Sequence, residues 1–464
     1  MRLFEFLLIV ILLLSILLRF LRLQKTPWLY LFPLFSLLVI TYHLFLEGYR
    51  WQMLPLYALA LGLSLASIRQ VKQESFKLRT FWTVVWLVVL IIFVLPPVLL
   101  PVPVYPKPTG PYDVGTTSFY WIDENREEVY AEQAGIPRRV MVQVWYPAAL
   151  SGVEKRAPYL PDGNLDAQAL AESFGFPKFF LNHLSLSKTQ AYQGPALAEC
   201  FETWPVLVFS HGWNGMRYQN TAQMVELASQ GYIVFAPEHA YGAVISVYPD
   251  GNIIYNNPDA LPSGVSDEEY AKAARILGKS WVGDLRFTLD QLQLLNAGEI
   301  SSMFAGHLDL EKTGLFGHST GGGGVFETCW LDDRCQAVLG EDPWLVPYDR
   351  EIPQTGLSQP TVMMFSESWG SDTNKELVNQ LWQNQPLGAV RMSIDGTSHY
   401  DFSDLPLYSP IAHLLGLKGP IKPEREINLI NDYLVTFFDQ HLKNADSSLM
   451  ELSADYPEVQ ILQK

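Results

Sequence analysis

The sequence predicts an α/β protein with a mostly parallel central sheet, preceded by an apolar region of about four transmembrane helices. From about residue 112 onward, compact apolar runs bounded by turn residues alternate with helical stretches. This pattern is typical of strands buried on both faces of a parallel sheet. The first hundred or so residues instead contain long uncharged apolar stretches, which are typical of membrane spans.

Four N-terminal segments are each long enough, or nearly so, to cross a bilayer, because a hydrocarbon core needs about 20 apolar residues in helical form. The expected spans are 4–23, 28–46, 51–68 and 80–105. A cleaved signal peptide is the alternative for the first span, and Glu5 and the lack of a small-residue cleavage site argue against it. We therefore expect a transmembrane region over 1–105, a proline-rich linker over 106–111 and a soluble domain over 112–464.

Basic residues are concentrated in two of the loops between these spans. Because positively charged loops stay in the cytoplasm, the soluble domain is expected outside the cytoplasmic membrane. The seven basic residues of these two loops are Arg19, Arg22, Lys25, Arg69, Lys72, Lys77 and Arg79, and the two on the opposite side are Arg2 and Arg50.

The charge and cysteine content exclude several classes of function. The formal net charge is -16, and residues 1–106 carry nine Lys and Arg against three Asp and Glu, so the soluble domain is more acidic still. Such a domain repels phosphate backbones, and nucleic-acid binding is not expected. The chain has only three cysteines and no Cys/His cluster with zinc spacing. We expect neither a disulfide framework nor a metal or organic cofactor.

Apolar runs and helical periodicity predict the elements of the soluble domain. The expected strands are Arg139–Tyr146, Val206–Ser210, Ile233–Pro237, Thr313–Phe316, Ala337–Gly340, Thr361–Phe365 and Val390–Ile394. The expected helices include Asn220–Gln230 and Trp281–Asn296. Two stretches, 148–203 and 240–279, exceed ordinary connections, so we expect insertions there that are long enough to cap a site.

The strongest local signal is the G-x-S-x-G motif Gly317-His318-Ser319-Thr320-Gly321, which lies between the strand Thr313–Phe316 and the helix-compatible stretch Val325–Trp330. In α/β-hydrolases a strained turn at this place lifts the serine out of the sheet, and the flanking glycines leave room for the backbone. The helix N-terminus favours a developing oxyanion. The motif therefore predicts an α/β-hydrolase fold with Ser319 as the nucleophile.

A serine nucleophile needs a base, which in α/β-hydrolases follows the nucleophile and the acid along the chain. That order leaves His399, His413 and His441. His399 directly follows the strand Val390–Ile394, where a loop can carry the imidazole over the sheet edge. The other two lie in helical stretches and are expected to be structural. We expect His399 to be the base.

The acid has more than one candidate. Asp342 follows the strand Ala337–Gly340, whereas Glu367 and Asp372 follow the next strand, Thr361–Phe365. Either strand end can deliver a carboxylate that orients the imidazole and stabilises the imidazolium.

An oxyanion hole needs two backbone N–H donors, and one is expected from Thr320, the residue after the nucleophile. The other is expected from Trp213, in the loop His211-Gly212-Trp213-Asn214-Gly215 that follows Val206–Ser210. Glycine at position 212 permits a turn that aims the amide of Trp213. His211 is expected to anchor this loop.

Several motifs together resemble the plasma-type platelet-activating-factor acetylhydrolase family over about residues 111–445. They are Ser210-His211-Gly212-Trp213, Ala236-Pro237-Glu238-His239, Gly317-His318-Ser319, Asp342-Pro343-Trp344 and His399-Tyr400-Asp401-Phe402. The resemblance implies Ser319, Asp342 and His399 as the triad, with Trp213 and Thr320 as oxyanion donors. The glycines Gly321–Gly324 and Pro343-Trp344 also look like cutinase-type polyester hydrolases. That second likeness implies an acid one strand later and keeps Glu367 and Asp372 open.

These observations predict a membrane-anchored serine esterase that acts on carboxylic esters, including phospholipids with short sn-2 acyl chains. An acyltransferase or a polyester hydrolase would use the same chemistry, and a non-catalytic scaffold of the same fold is a further alternative. The expected partners are a lipid or other small ester and the membrane itself. An oxidising compartment would permit a disulfide between Cys329 and Cys335, and Cys200 would then stay free or buried.

Overall fold

The computed structural model describes residues 1–21, 32–68, 76–367 and 369–464. Within these ranges the chain forms two compact units. The first comprises Met1–Pro103, Gly163–Ser187 and Tyr408–Ile411, and the second comprises Val104–Asp162, Lys188–Leu407 and Ala412–Lys464. The expected loop residues Arg22, Lys25, Arg69 and Lys72 lie outside the described residues.

The first unit contains the N-terminal helices α1 (Leu3–Leu21), α2 (Leu34–Tyr42), α3 (Leu54–Ile68) and α4 (Phe76–Leu99). A single π-helical turn, His43–Glu47, extends α2, and a 3-10 turn, Trp51–Met53, precedes α3. Leucines of α1 pack against α3 in an apolar core that includes Leu8, Leu12, Leu56 and Leu63.

Two of these helices, α1 and α4, are long and apolar enough to cross a membrane. The apolar helical stretches Leu34–Glu47 and Trp51–Ala66 have between 10 and 17 residues and are shorter than a full span. Each of the four expected spans therefore contains a helix, but of these four helices only α1 and α4 have the length of a span.

The segment Gly163–Ser187 of the expected first insertion folds with the N-terminal helices rather than with the sheet. It contains helix α5 (Asn164–Ser173). The indole N–H of Trp51 donates to the carbonyl oxygen of Phe180 at 3.0 Å, and the amide of Gln52 bonds to Nδ1 of His183 at 2.8 Å.

The second unit is built on a 12-stranded mixed sheet. In chain order its strands are β1 (Asp113–Glu127), β2 (Pro137–Ala149), β3 (Arg156–Pro158), β4 (Lys188–Gln193), β5 (Ala196–Leu197), β6 (Trp204–Ser210), β7 (Ile233–Pro237), β10 (Leu308–His318), β11 (Ala337–Glu341), β12 (Thr361–Ser366), β13 (Val390–Ile394) and β14 (Val459–Gln463). A separate hairpin consists of β8 (Ile245–Val247) and β9 (Ile253–Tyr255).

The strands of the main sheet are ordered β14-β13-β12-β11-β10-β6-β7-β2-β1-β4-β3, and β5 pairs with β2. The six strands from β13 to β7 are all parallel to their neighbours, whereas β14 and β2 are antiparallel at the two ends of this block. Every expected strand lies within an observed one. The α/β prediction with a mostly parallel centre is confirmed, and the long β1–β2 hairpin is the main addition.

The helices of the second unit are α6 (Thr221–Ser229), α7 (Asp267–Ala297), α8 (Thr320–Leu331), α9 (Ile352–Thr355), α10 (Asp372–Asn384), α11 (Pro423–Leu442) and α12 (Leu449–Leu452). Helix α7 begins fourteen residues earlier than the periodicity predicted, inside the expected insertion 240–279. Its start is fixed by a capping box, in which Ser266 accepts from the amide of Glu269 and the Glu269 carboxylate accepts from the amide of Ser266.

The central strands are buried on both faces, which explains their uninterrupted apolar sequences. Val206, Val208 and Phe209 of β6 are fully buried, as are Leu315 and Phe316 of β10. Because these strands are parallel, their carboxyl ends meet at one edge of the sheet, the usual place for a site in α/β folds. All the predicted site residues follow these ends.

Candidate active site

Ser319 lies in a strained turn between β10 and α8. Its backbone has φ +57° and ψ −119°, a conformation that a residue with a side chain rarely adopts. The Ser319 amide donates to the carbonyl oxygen of Glu341 at 2.8 Å, and the Ser319 carbonyl oxygen accepts from the amide of Trp344 at 2.9 Å. Two bonds to the segment after β11 therefore hold the turn. This is the geometry of a nucleophile elbow.

Gly321 allows the first turn of α8 to lie directly against the end of β6. A Cβ atom at this position would clash with the carbonyl oxygens of Ser210 and His211. The glycine-rich run therefore brings the elbow next to the loop that was expected to complete an oxyanion hole.

The expected base and the preferred acid lie within hydrogen-bonding distance of each other. Nδ1 of His399 is 3.0 Å from Oδ2 of Asp342. Asp342 is fully buried, and it accepts hydrogen bonds from the Ser366 amide at 2.9 Å and the Ser366 hydroxyl at 2.7 Å. Ser366 thus fixes the carboxylate that faces the imidazole.

The competing acids lie elsewhere. Glu367 accepts a hydrogen bond from the amide of Gly396 at 2.8 Å, and Asp372 is exposed in the first turn of α10. Among the described residues, Asp342 is the one carboxylate that contacts the His399 ring.

The competing histidines make structural contacts. Nδ1 of His413 is 3.4 Å from the carbonyl oxygen of Lys418, and the ring of His441 packs edge-on against Phe437 in α11. The structure pairs neither of them with a carboxylate in the part of the chain that it describes.

Burial acts on the two members of the His399–Asp342 pair in opposite directions. It lowers the pKa of His399 to about 3, so the imidazole is neutral at physiological pH and able to accept a proton. It raises the pKa of Asp342 to about 7, against the two hydrogen bonds from Ser366, which favour the carboxylate. The Nδ1–H of a neutral His399 donates to that carboxylate, which leaves Nε2 as the acceptor.

His318, the second residue of the motif, holds the loop that carries His399. Its Nε2–H donates to the carbonyl oxygen of His399 at 3.0 Å, and its Nδ1 accepts from the side-chain amide of Gln219 at 3.1 Å. Burial lowers the pKa of His318 to about 3 and keeps this ring neutral. No role for His318 was expected from the sequence, although its place inside the motif was a signal.

Trp369 is a second residue that sequence analysis missed. Its ring stacks on the imidazole of His399, with 3.4 Å between the ring centroids and 2° between the planes. No pattern in the sequence marks this tryptophan. It follows β12, and only the folded chain brings it to His399.

The two expected oxyanion donors flank the elbow. The loop His211–Gly215 approaches it so closely that a Cβ atom on Gly212 would lie 3.2 Å from the Cβ atom of Ser319. Neither the Trp213 amide nor the Thr320 amide donates to a backbone carbonyl elsewhere in the described part of the chain. The role of these two amides as oxyanion donors stays a prediction.

Residues 102–254 and 267–454 match the family "Platelet-activating factor acetylhydrolase, isoform II". This chain belongs to that family. It is 28% identical over 386 residues to platelet-activating factor acetylhydrolase of Cavia porcellus. That alignment covers 75% of this chain and 81% of the relative. It is also 24% identical over 394 residues to a probable 1-alkyl-2-acetylglycerophosphocholine esterase of Arthroderma benhamiae. That alignment covers 77% of this chain and 93% of the relative.

A solved relative supports the same fold. The ferulic acid esterase from Streptomyces cinnamoneus superposes with a TM-score of 0.63 and 25% identity, over 77% of this chain and 98% of the esterase. The family resemblance in the sequence is thus confirmed, and this acetylhydrolase-family chain is a serine ester hydrolase.

Cys329 at the end of α8 and Cys335 before β11 form a disulfide, with 5.2 Å between their Cα atoms, and Cys200 is free and exposed. This is the pairing that an oxidising compartment permits.

Glu5, His43 and Glu47 form the one group of potential metal ligands that the described residues bring together, with ligand atoms within 4.8 Å of one another. The Glu5 carboxylate, however, already accepts from Nε and Nη2 of Arg50 at 2.7 and 2.8 Å and from Nε of Arg2 at 2.8 Å. The guanidinium groups supply the positive charge, so the group is an ion-pair network.

Proposed function

We propose that this chain is a membrane-anchored esterase that removes short acyl groups from phospholipids, with Ser319, His399 and Asp342 as its triad. The observation that carries the proposal is the 3.0 Å contact between His399 and Asp342, beside a strained serine in a G-x-S-x-G turn. The names of two relatives, an acetylhydrolase and a 1-alkyl-2-acetylglycerophosphocholine esterase, favour a short sn-2 acyl chain.

In the first half of the proposed reaction, the Ser319 hydroxyl oxygen attacks the ester carbonyl carbon while Nε2 of His399 takes the hydroxyl proton. The tetrahedral oxyanion accepts hydrogen bonds from the amides of Trp213 and Thr320, at the N-terminus of α8. As the intermediate collapses, the imidazolium gives its proton to the leaving alkoxide, and an acyl-Ser319 ester remains.

In the second half, water attacks the acyl-Ser319 carbonyl and His399 takes its proton. Collapse of this intermediate releases the carboxylic acid and returns the proton to Ser319. In the active form of the enzyme Asp342 is ionised; it gives up and takes no proton during the reaction, holds the Nδ1–H tautomer of His399 and stabilises the imidazolium.

The test uses the full-length protein in detergent, with ether phosphocholines that carry either an acetyl or a palmitoyl group at sn-2. We expect faster hydrolysis of the acetyl ester and labelling by a fluorophosphonate probe. Ser319→Ala and His399→Ala should each lower the rate by about 10⁴–10⁶-fold and abolish labelling. Full activity of a folded His399→Ala protein would contradict the triad. Preference for a feruloyl ester would contradict the phospholipid assignment.

The membrane anchoring is supported by the contacts of α1, which also bear on the signal-peptide alternative. Glu5 of α1 and Arg50 form a fully buried ion pair, and Nη1 of Arg50 donates to the carbonyl oxygen of Leu100 at 2.6 Å. Removal of α1 would leave Arg50 buried without its carboxylate, a change that costs about 3–5 kcal/mol in comparable pairs. We therefore propose that α1 stays in the mature protein, where it spans the membrane together with α4.

A further inference from the structure

A second set of serine, histidine and aspartate lies beneath the loop His211–Gly215, outside the proposed triad. The hydroxyl of Ser210 is 2.9 Å from Nε2 of His239, and Nδ1 of His239 is 3.0 Å from Oδ2 of Asp284. All three residues are fully buried. The contacts follow the order of those in a catalytic triad, so the role of this set of residues needs an explanation.

Its surroundings exclude a second nucleophilic site. Arg138 binds the Asp284 carboxylate with two hydrogen bonds of 2.6 and 3.0 Å, and Arg126 adds a third at 2.9 Å. The ring of Trp281 covers that of His239 with 4.2 Å between their centroids and 12° between their planes. A substrate cannot reach Ser210, and the charge of Asp284 is already paired.

The set is instead connected to the loop that carries the Trp213 amide. The backbone N–H of His239 donates to Nε2 of His211 at 3.1 Å. Nδ1–H of His211 in turn donates to the carbonyl oxygen of Gly212 at 2.8 Å, one residue before Trp213. These bonds assign the His211 tautomer, because Nε2 accepts and Nδ1 must therefore carry the proton.

The same segment holds the other side of the loop. The Asn214 amide donates to the carbonyl oxygen of Gly242 at 2.8 Å, and the Val244 amide donates to that of Gly215 at 2.8 Å. Residues 239–244 therefore hold the loop before and after Trp213. His239 is the point at which this segment is fixed to Asp284 and to the end of β6.

We propose that Ser210, His239 and Asp284 form a positioning device that fixes the direction of the Trp213 amide in the oxyanion hole. The inference rests on the proposed function, and it assigns these residues a role through the loop rather than in proton transfer. A displacement of about 1 Å at a catalytic group can cost about 10²-fold in rate. Loss of the device is therefore expected to affect the transition state more than substrate binding.

Two variants test the device to different extents. Ser210→Ala removes only the hydroxyl that donates to Nε2 of His239. His239→Asn keeps an amide N–H where Nδ1–H meets Asp284, but it loses the contact with Ser210 and the stacking area under Trp281. We expect kcat for an acetyl ester to fall by up to about 10²-fold in His239→Asn and by less in Ser210→Ala, with KM little changed.

The distinguishing measurement compares an ester with the matched thionoester, whose developing negative charge lies on sulfur, a poor acceptor for the backbone amides. Hydrolysis of the ester should fall in both variants, whereas hydrolysis of the thionoester should fall much less. The pH profile should stay that of the wild type, because His239 is not the base. His307→Asn is the control and should match the wild type, because it changes a half-buried histidine whose ring bonds to the carbonyl oxygen of Glu202, outside the loop and the proposed triad.

Equal losses on ester and thionoester, a shifted pH profile or wild-type rates in both variants would overturn the proposal. If His239→Asn does not fold, Ser210→Ala decides the question alone, since it removes a single atom and fills no space. A failure of the triad itself would appear separately, as activity that remains in Ser319→Ala.

Discussion

His399 and Asp342 form one buried pair, yet the sequence alone left three carboxylates open for the acid. At the residue scale the three carboxylates differ in whether they contact the imidazole of His399. Asp342 faces the imidazole and is held by Ser366, whereas Glu367 binds the amide of Gly396 and Asp372 is exposed. A strand end can be read from the sequence, but which strand end meets the imidazole depends on how the loops close.

Replacement of the three acids should therefore give a clear ranking. Asp342→Asn replaces the carboxylate beside His399 with a neutral amide. The amide is a poorer acceptor for the Nδ1–H group and favours the wrong tautomer of His399, so kcat should fall by about 10⁴-fold. Glu367→Gln and Asp372→Asn are matched controls of similar size, and each should stay near the wild-type rate. Steady-state hydrolysis of a short-chain ester is the measurement. A larger loss in either control would favour the polyester-hydrolase arrangement.

The pH dependence of the same pair has a defined sign. Because the pKa of Asp342 is raised to about 7 and that of His399 is lowered to about 3, the carboxyl takes the first proton as the pH falls. A protonated Asp342 no longer stabilises the imidazolium, so kcat/KM should be highest above neutrality and fall as the pH drops through about 7. The apparent value belongs to the pair.

The controls for this profile are the acid variants. Glu367→Gln should keep the wild-type acid limb, whereas Asp342→Asn should lose it and show only its low residual rate. An unchanged acid limb in Asp342→Asn would show that another group sets it.

Single residues also show where sequence reasoning stops. Ser319 could be predicted because its strand, turn and helix are consecutive in the chain, and His399 because α/β-hydrolases keep a fixed order. Trp369 and Ser366 contact the pair only through tertiary packing, and nothing in their neighbouring residues indicates it.

At the scale of elements, the start of α8 is the most constrained part of the site. A Cβ atom on Gly321 would clash with backbone atoms of Ser210 and His211 at the end of β6, so Gly321→Ala should push this helix and that strand end apart. Forced overpacking of this kind typically costs about 1–3 kcal/mol, and here it should also displace the elbow from the loop that carries Trp213.

Gly324→Ala is the matched control in the same helix, because the atoms nearest to a Cβ atom there belong to side chains and not to the backbone: the Tyr348 hydroxyl at 3.0 Å and Cδ1 of Leu285 at 3.6 Å. The midpoint temperature of thermal unfolding and kcat should both be lower in Gly321→Ala than in the wild type, whereas Gly324→Ala should keep its activity. Comparable activity in the two variants would mean that the close approach at Gly321 is not needed for catalysis.

Compact apolar runs bounded by turn residues were predicted with the correct bounds for β7 and β13. The expected insertions were predicted less well because their parts belong to different structures. Strands β3, β4 and β5 join the main sheet, while α5 folds with the N-terminal helices. Short strands of mixed polarity carry little periodic signal, and pairing with a distant neighbour decides their state.

At the scale of the whole molecule, the strongest contrast is between a basic, apolar N-terminal region and an acidic domain. An acidic domain gains little from anionic lipid surfaces, so a tether is needed to keep a lipid-hydrolysing site near its substrate. Helices α1 and α4 have the length for such a tether. Two spans or four spans lead to the same side of the membrane, because both numbers are even.

The side of the membrane on which we expect the domain follows from the distribution of basic residues. The seven basic residues within 19–25 and 69–79 are expected to keep the segments that carry them in the cytoplasm whether two or four segments cross, so we expect the domain to lie outside. The disulfide between Cys329 and Cys335 agrees with that compartment, since such bonds are rare in reducing cytoplasm.

Cys200 allows this topology to be tested on the native chain, because it is the exposed free thiol of the domain. We expect a membrane-impermeant maleimide to label it in intact cells, with no increase after permeabilisation, and Cys200→Ser to abolish the signal. An independent readout fuses either alkaline phosphatase, which is active only outside, or a cytoplasm-dependent fluorescent protein after Pro111, and the phosphatase fusion should be the active one. Labelling only after permeabilisation, together with a fluorescent fusion, would mean an odd number of spans or inverted insertion, and Ser319 would then face the cytoplasm.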